Sequence, residues 1–429
     1  MSEQRADHRW GWLAAGAAAG AAASLLAQNL TTSEKKIARE ITTGYGVDDP
    51  QFRRVMSSLL GPPFIAGNTV DVLQNGDEIF PAMLAAIRGA RSSVCFETYI
   101  YWSGEIAREL SGALAERARA GVSVHVVMDG VGAGKLDAEL VDDLLDAGVQ
   151  LERYHPLGLR TVSHINNRTH RKLLIVDGRV GFTGGVGIAD QWAGRAQDSD
   201  HWRDMHFRVA GPVVAQMQAA FADNWLKTRA EALHDERYFP EIQSAGPVVA
   251  QLFKSSPDEG SESVRLMYLL SIAAARRTIR IANAYFVPDD LARQTLISAV
   301  QRGVRLQIIV PGREIDTPLT RQASRSRWEP LLEAGAEIHE FQPTMFHCKA
   351  MVIDDLWCSV GSTNFDSRSF RLNDEANLNI YDAAVAAALT RSFDADLARS
   401  RRVTLEAWRQ RPLGERIVEQ AAALVRSQV

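Results

Sequence analysis

Cysteine is scarce in this chain: Cys95, Cys348 and Cys358 are the only three in 429 residues. An odd count without CxxC spacing excludes a disulfide framework in a chain of this size, so all three read as free thiols. An excess of basic charge is missing too. Forty-eight Lys and Arg face 52 Asp and Glu, for a formal net charge of -4. That balance lacks the positive field that draws proteins to a phosphate backbone, so no nucleic-acid partner is expected. Nothing in the pattern marks a protein partner either. Lysine is especially rare, with seven residues, because arginine supplies nearly all of the basic charge. With 46% hydrophobic and 23% charged residues the composition is nevertheless globular, and the length suits two lobes better than one.

Long uncharged runs are absent except at the N-terminus. From Trp10 to Leu30 no residue carries a charge, and a helix of that length spans a hydrocarbon core. Ala and Gly dominate it, and Gly16 and Gly20 form a small-xxx-small spacing. Residues 1–35 are therefore expected to be a membrane anchor; a cleaved or targeting segment and a soluble Ala-rich helix are the alternatives.

The remainder reads as a duplication. Ala90 to Tyr101 matches Ala275 to Phe286, Arg119 to Asp129 matches Gln301 to Pro311, and Leu144 to Tyr154 matches Leu331 to Phe341. Each pair runs from a helix into an apolar strand, and in the last two pairs a glycine stop separates them. The offset stays between 177 and 187 residues, so loop-sized insertions separate two copies of one fold. The fold class expected is α/β: two homologous lobes, 60–233 and 245–429, each a mixed, mostly parallel sheet flanked by helices. The polar stretch from about His234 to Glu262 is the expected boundary.

Both copies carry H-x-K-x4-D at matching places: His170, Lys172 and Asp177, then His347, Lys349 and Asp354. Random placement of the chain's ten histidines, seven lysines and 28 aspartates gives roughly 0.01 such matches. Two at equivalent positions are not accidental. Residues i and i+2 of a strand share a side, so each His and its Lys are expected to project together into one cleft.

This constellation resembles the phospholipase D superfamily over nearly everything after residue 60. The resemblance implies an active site at the lobe interface, where one His attacks phosphorus and the other protonates the leaving oxygen. By the order usual in that family His170 is the nucleophile and His347 the acid and then base. Lys172 and Lys349 neutralise the phosphodiester; Asp177 and Asp354 complete the motif and are expected to orient backbone more than to touch substrate. No cofactor is implied, and no ligand spacing suggests a metal.

Fourteen positions after His347 comes Gly361-Ser362-Thr-Asn364-Phe-Asp366-Ser-Arg368-Ser369, the G-S-x-N-x-D-x-R-S pattern of the superfamily, in which Ser362 and Asn364 are expected to donate to phosphate oxygens. Fourteen after His170 comes Gly184-Gly185-Val-Gly187-Ile, similar to the G-G-x-N-I of cardiolipin synthases. Gly184 and Gly185 are assigned with Ser362 and Asn364 to substrate binding. Gly187 stands where that pattern has Asn, which removes one donor from the first half-site. Asp204 and Glu375 follow the two loops and are expected to accept the second ring proton of a catalytic His, a surface salt bridge being the alternative. Trp202 to His206, Phe221 to Trp225, Glu97 to Tyr101 and Tyr285 to Pro288 also resemble bacterial cardiolipin synthases. The implied activity is transfer of a phosphatidyl group, through a covalent phosphohistidine, from phosphatidylglycerol to an alcohol such as a second phosphatidylglycerol. The alternative is a phosphodiesterase hydrolysing phospholipid or, less readily, nucleic acid. The implied location is the bacterial inner membrane, reached through the N-terminal segment.

Overall fold

The computed structural model describes residues 37, 39–156, 167–256 and 263–424, so the Trp10–Leu30 segment lies outside the described residues. Among those described, no helix is long and apolar enough to cross a membrane.

Two runs of strands share one spatial plan. The first comprises β1 (Ile65–Gln74), β2 (Ser93–Thr98), β3 (Ser123–Asp129), β4 (Gln150–Tyr154), β5 (Arg168–Thr169), β6 (Leu173–Val176), β7 (Val180–Gly184) and β8 (Met205–Ala210). The second comprises β9 (Val248–Ser255), β10 (Thr278–Asn283), β11 (Phe286–Val287), β12 (Arg305–Pro311), β13 (Glu337–Phe341), β14 (Lys349–Ile353), β15 (Trp357–Gly361), β16 (Phe365–Asp366), β17 (Asn373–Tyr381) and β18 (Ser400–Val403). The order β1-β8-β7-β6-β2-β3-β4 recurs as β9-β17-β15-β14-β10-β12-β13, with β18 added at the edge. Antiparallel β1 and β9 join the two into one sheet.

The lobes are mixed α/β as expected, with a smaller parallel share. Within the main sheet of each lobe only β2-β3-β4 and β10-β12-β13 pair in parallel, and β11 and β16 form a separate short parallel pair. The hairpins β6-β7 and β14-β15 are joined by three residues, far too few for the crossover that parallel neighbours require. The glycine stops act as read: helices Glu105–Arg119 and Asp290–Gln301 end before Gly121 and Gly303, whose φ values of +88° and +94° suit glycine. The strands that follow bury nearly every side chain, as do β2, β6 and β14, and each fully buried Val, Leu or Ile contributes about 1.5–3 kcal/mol.

The lobes interlock. Helix Val214–Arg229 of the first packs on β9 of the second, and helix Ala383–Ala398 of the second packs on β1 of the first. Phe221, Trp225, Leu389 and Phe393 thereby share one core that draws on both sheets. The connection after residue 234 is tied down as well: buried Tyr238 places its hydroxyl 2.7 Å from His125 Nε2, and Ser93 donates to the Arg237 carbonyl.

Candidate active site

The two motif histidines lie in extended segments just before β6 and β14, each clamped to the opposite lobe by main-chain bonds. His170 N donates to the Asp374 carbonyl at 2.8 Å and His347 N to the Arg203 carbonyl at 2.7 Å. The residue following each acceptor supplies the carboxylate. Glu375 of the second lobe sits 3.1 Å from His170 Nδ1, and Asp204 of the first sits 2.7 Å from His347 Nδ1. The pairing is crossed: each imidazole belongs to one lobe and its acid to the other. An ionised carboxylate only accepts, so each Nδ1 carries a proton and each Nε2 is left for chemistry.

Both imidazoles line one cavity of about 430 Å³, together with Lys172, Asn364, Tyr99 and Tyr285. Lys172 and Lys349 are buried, and each donates to the carbonyl of its own motif histidine, at 2.9 and 2.7 Å. Lys349 Nζ also lies 3.2 Å from both ring nitrogens of His347. The Tyr99 ring stands edge-on to His170 at 5.3 Å and that of Tyr285 edge-on to His347 at 6.3 Å. Trp192 and Trp202 close the other side of His347.

Electrostatics follow from this burial. Desolvation lowers the His170 pKa to about 4, with Lys172 and Lys349 adding to the effect against Glu375. Lys172 falls to about 7 through burial and the neighbouring Lys349. Lys349 and His347 are also lowered, by burial first. Burial pushes the Asp204 and Glu375 carboxyls up, yet the His and Lys beside them hold both below their usual values. In the empty site the carboxylates carry charge and the imidazoles are neutral, a state that an entering phosphate shifts toward protonated bases.

Asp177 and Asp354, though part of the motif, do not line the cavity: their carboxylates accept from the backbone N–H groups of Arg91, Ser92 and Ser93, and of Arg276, Arg277 and Thr278. They pin the entry of β2 and β10 at the far end of the strands. Ser362 does not face a phosphate either, because its hydroxyl donates to Glu375 Oε2. Gly184 and Gly185 lie behind the cavity wall, whereas Asn364 does line it, with its side-chain oxygen buried and unpartnered.

Gly185 matters for another reason. A Cβ there would come within 2.2 Å of Asp204 Oδ1, so its smallness admits the short carboxylate. Where the second lobe holds Glu375 with Ser362, the first holds Asp204 with the Trp192 indole, Nε1 to Oδ2 at 2.9 Å. Ile100, with that indole behind it, also accounts for Gly187. A Cβ at 187 would stand 2.7 Å from Ile100 Cβ and 3.2 Å from the Trp192 ring, so the volume an Asn needs is occupied. Gly187→Asn is accordingly expected to lower stability by about 1–3 kcal/mol through overpacking, and to reduce turnover by displacing Trp192 from Asp204. Thermal unfolding and steady-state rates check this; a stable, fully active variant would separate Gly187 from the tryptophan.

Tyr99, Tyr285, Trp192 and Trp202 were not picked out as site residues in the sequence. The signal available for the two tyrosines was an aromatic just past the end of β2 and of β10 in both copies.

Two lobes of one plan, each bringing an H-x-K segment to a common cavity, define an enzyme of the phospholipase D superfamily. The chain belongs to the family described as cardiolipin synthase, PLD-like domain, whose model matches residues 83–225 and 268–397, and it is a phosphatidyltransferase of that superfamily. It is 31% identical over 412 residues to cardiolipin synthase 1 of Bacillus anthracis, covering 91% of this chain and 81% of that one. It is 35% identical over 367 residues to the major cardiolipin synthase ClsA of Bacillus subtilis (strain 168), covering 84% and 76%. The crystal structure of phosphatidylserine synthase from Haemophilus influenzae Rd KW20 shares the fold, with a TM-score of 0.69 at 14% identity over 88% of this chain and all of that one.

Proposed function

We propose that the enzyme moves a phosphatidyl group from phosphatidylglycerol to an alcohol acceptor, a second phosphatidylglycerol in the first instance, through a covalent intermediate on His170. The observation that carries this reading is that His170 and His347 line the same cavity. Donor phosphate enters between them, its charge met by Lys172 and Lys349, with Asn364 at its side. His170 Nε2 attacks phosphorus while Glu375 holds Nδ1–H and stabilises the imidazolium. The glycerol oxygen leaves with the proton from His347 Nε2, and His347 then takes the proton from the incoming alcohol. The two lysines stabilise charge on the phosphoryl oxygens throughout. Apolar residues at the cavity, Ile100, Trp102 and Leu319, suit acyl chains, and the Trp10–Leu30 segment is read as the tether that holds the enzyme at the inner membrane.

The direct test is incubation of purified protein with phosphatidylglycerol, with and without added alcohols, and identification of the lipids formed. Cardiolipin with free glycerol supports transfer. Phosphatidic acid alone would make water the acceptor and the enzyme a hydrolase.

The buried bases give a pH signature. Lys172 loses its proton near 7 in the free enzyme instead of near the ordinary 10.5. Since the charged form recruits the phosphate, kcat/KM is expected to fall above about pH 7. In the complex an anion lies beside Lys172 and favours the charged form, so the alkaline limb of kcat is expected at higher pH. Both profiles come from one set of initial rates, and coincident limbs would remove Lys172 from phosphate recruitment.

A further inference from the structure

Helix Leu413–Leu424 is amphipathic in the reverse of the usual sense. Glu419 is buried against the protein, where it binds Arg325 and Arg411, and Glu415, half exposed at the edge of the same face, reaches Arg325. Ala422 packs on Ala323 and Val287. The apolar residues point the other way: Leu413 is 72% exposed, Ile417 70% and Val418 52%. On a 3.6-residue period Leu413 and Ile417 lie opposite the glutamates, with Val418 on one flank and Arg416 on the other. An aqueous surface gives no reason for such a stripe.

The charge beside it is one-sided. Next to the helix, a cavity of about 390 Å³ is lined by Arg313, Arg321, Arg325, Arg401, Arg402 and Arg411, against Glu340 and Glu415. Glu340 is taken up by Arg321, Arg325 and Arg401. Exposed Arg313, Arg402 and Arg416 have no carboxylate partner among the described residues. Helix Pro318–Arg325 connects this region to the active site: Leu319 and Thr320 line the catalytic cavity, and Ala323 and Arg325 meet helix Leu413–Leu424. The separation is about one eight-residue helix, roughly 12 Å.

We infer that helix Leu413–Leu424 lies in the surface of an anionic bilayer, with Leu413, Ile417 and Val418 in the acyl boundary and Arg313, Arg402 and Arg416 on headgroup phosphates, beside the mouth of the catalytic cavity. Apolar residues on one face with arginines beside them are the pattern of an interfacial helix, and anionic lipid is the surface that pattern attracts. The inference rests on the lipid-substrate reading above and adds the face on which lipid is met.

The test uses the full chain. All three native cysteines are buried, so an environment-sensitive nitrobenzoxadiazole dye attaches to an introduced thiol. Ile417→Cys carries the reporter, and Leu226→Cys, at a 49% exposed leucine on helix Val214–Arg229, is the control. With equimolar phosphatidylglycerol and phosphatidylcholine vesicles the dye at 417 is expected to shift to the blue and brighten severalfold, while the dye at 226 does not change. Phosphatidylcholine alone, high salt, or the added changes Arg313→Glu, Arg402→Glu and Arg416→Glu should remove most of the response. No response at 417, an equal response at 226, or a blue-shifted emission without vesicles would overturn the inference, the last by showing that protein covers the helix.

Rates separate this from the function itself. Ile417→Glu with Val418→Glu should lower turnover about tenfold on vesicles and leave it unchanged on a short-chain phosphatidylglycerol kept monomeric. Equal rates on vesicles would overturn the inference. A wild-type enzyme inactive on both substrates would sink the functional reading, whereas the dye signal requires no turnover.

Discussion

His170→Ala forms no phosphatidyl-enzyme with any donor, whereas His347→Ala still forms one when the donor carries a good leaving group. That is the expected result if His170 attacks and His347 supplies the proton, because a leaving group of low pKa departs without protonation. With phosphatidylglycerol itself, His347→Ala is expected to lose on the order of 10²–10⁴ in rate, and His170→Ala to lose all transfer through the covalent route. Mass spectrometry of protein quenched with denaturant near neutral pH, where a phosphohistidine survives, reads the adduct directly. An adduct on His347 in the His170→Ala variant would exchange the two roles, and undiminished turnover without any adduct would remove the covalent step.

The second large effect comes from the crossed carboxylates. Glu375→Gln keeps the shape beside His170 but withdraws the charge that stabilises its imidazolium, and an amide that turns its N–H₂ toward Nδ1 selects the wrong tautomer. A loss of roughly 10²–10⁴ in rate is expected, with adduct formation itself slowed. Asp204→Asn acts on His347 instead. It should leave the adduct from an activated donor nearly intact and slow its transfer to alcohol. Single-turnover kinetics separate these two phases. If Glu375→Gln slowed only the second phase, the carboxylate would be serving the acid, and the pairing at 3.1 Å with His170 would not be the one that matters in the reaction.

Much of this was legible before any coordinates. Periodicity and glycine stops gave the repeated strands, and the rarity of lysine made two H-x-K-x4-D motifs conspicuous. Sequence marked Asp204 and Glu375 as carboxylates near the chemistry, but position along the chain carries no information about which lobe's histidine each meets. That depends on how β5 and the Arg203 segment bridge to the opposite lobe. Ser362 is ambiguous for a similar reason: a hydroxyl in a glycine-rich loop suits a phosphate or a buried carboxylate equally well, and here it donates to Glu375. Parallel pairing was overestimated because helix-strand alternation describes only three strands of each lobe, and the antiparallel remainder follows from short turns. Gly187 reads as a lost donor in the sequence, whereas its meaning is steric and depends on Ile100 and on Trp192, a residue in a three-residue 3-10 helix with no periodicity to announce it.

The crossing also bears on how the chain reaches activity. The bond from His170 closes a separation of 205 residues and that from His347 one of 143. Contacts this remote in sequence are entropically the most expensive to close and form after local structure has condensed. A nascent chain that has reached only the end of the first lobe therefore holds His170 but no acid for it. Neither imidazole is equipped until the second lobe docks, so during synthesis the nascent chain passes through no stage at which half of the enzyme is armed.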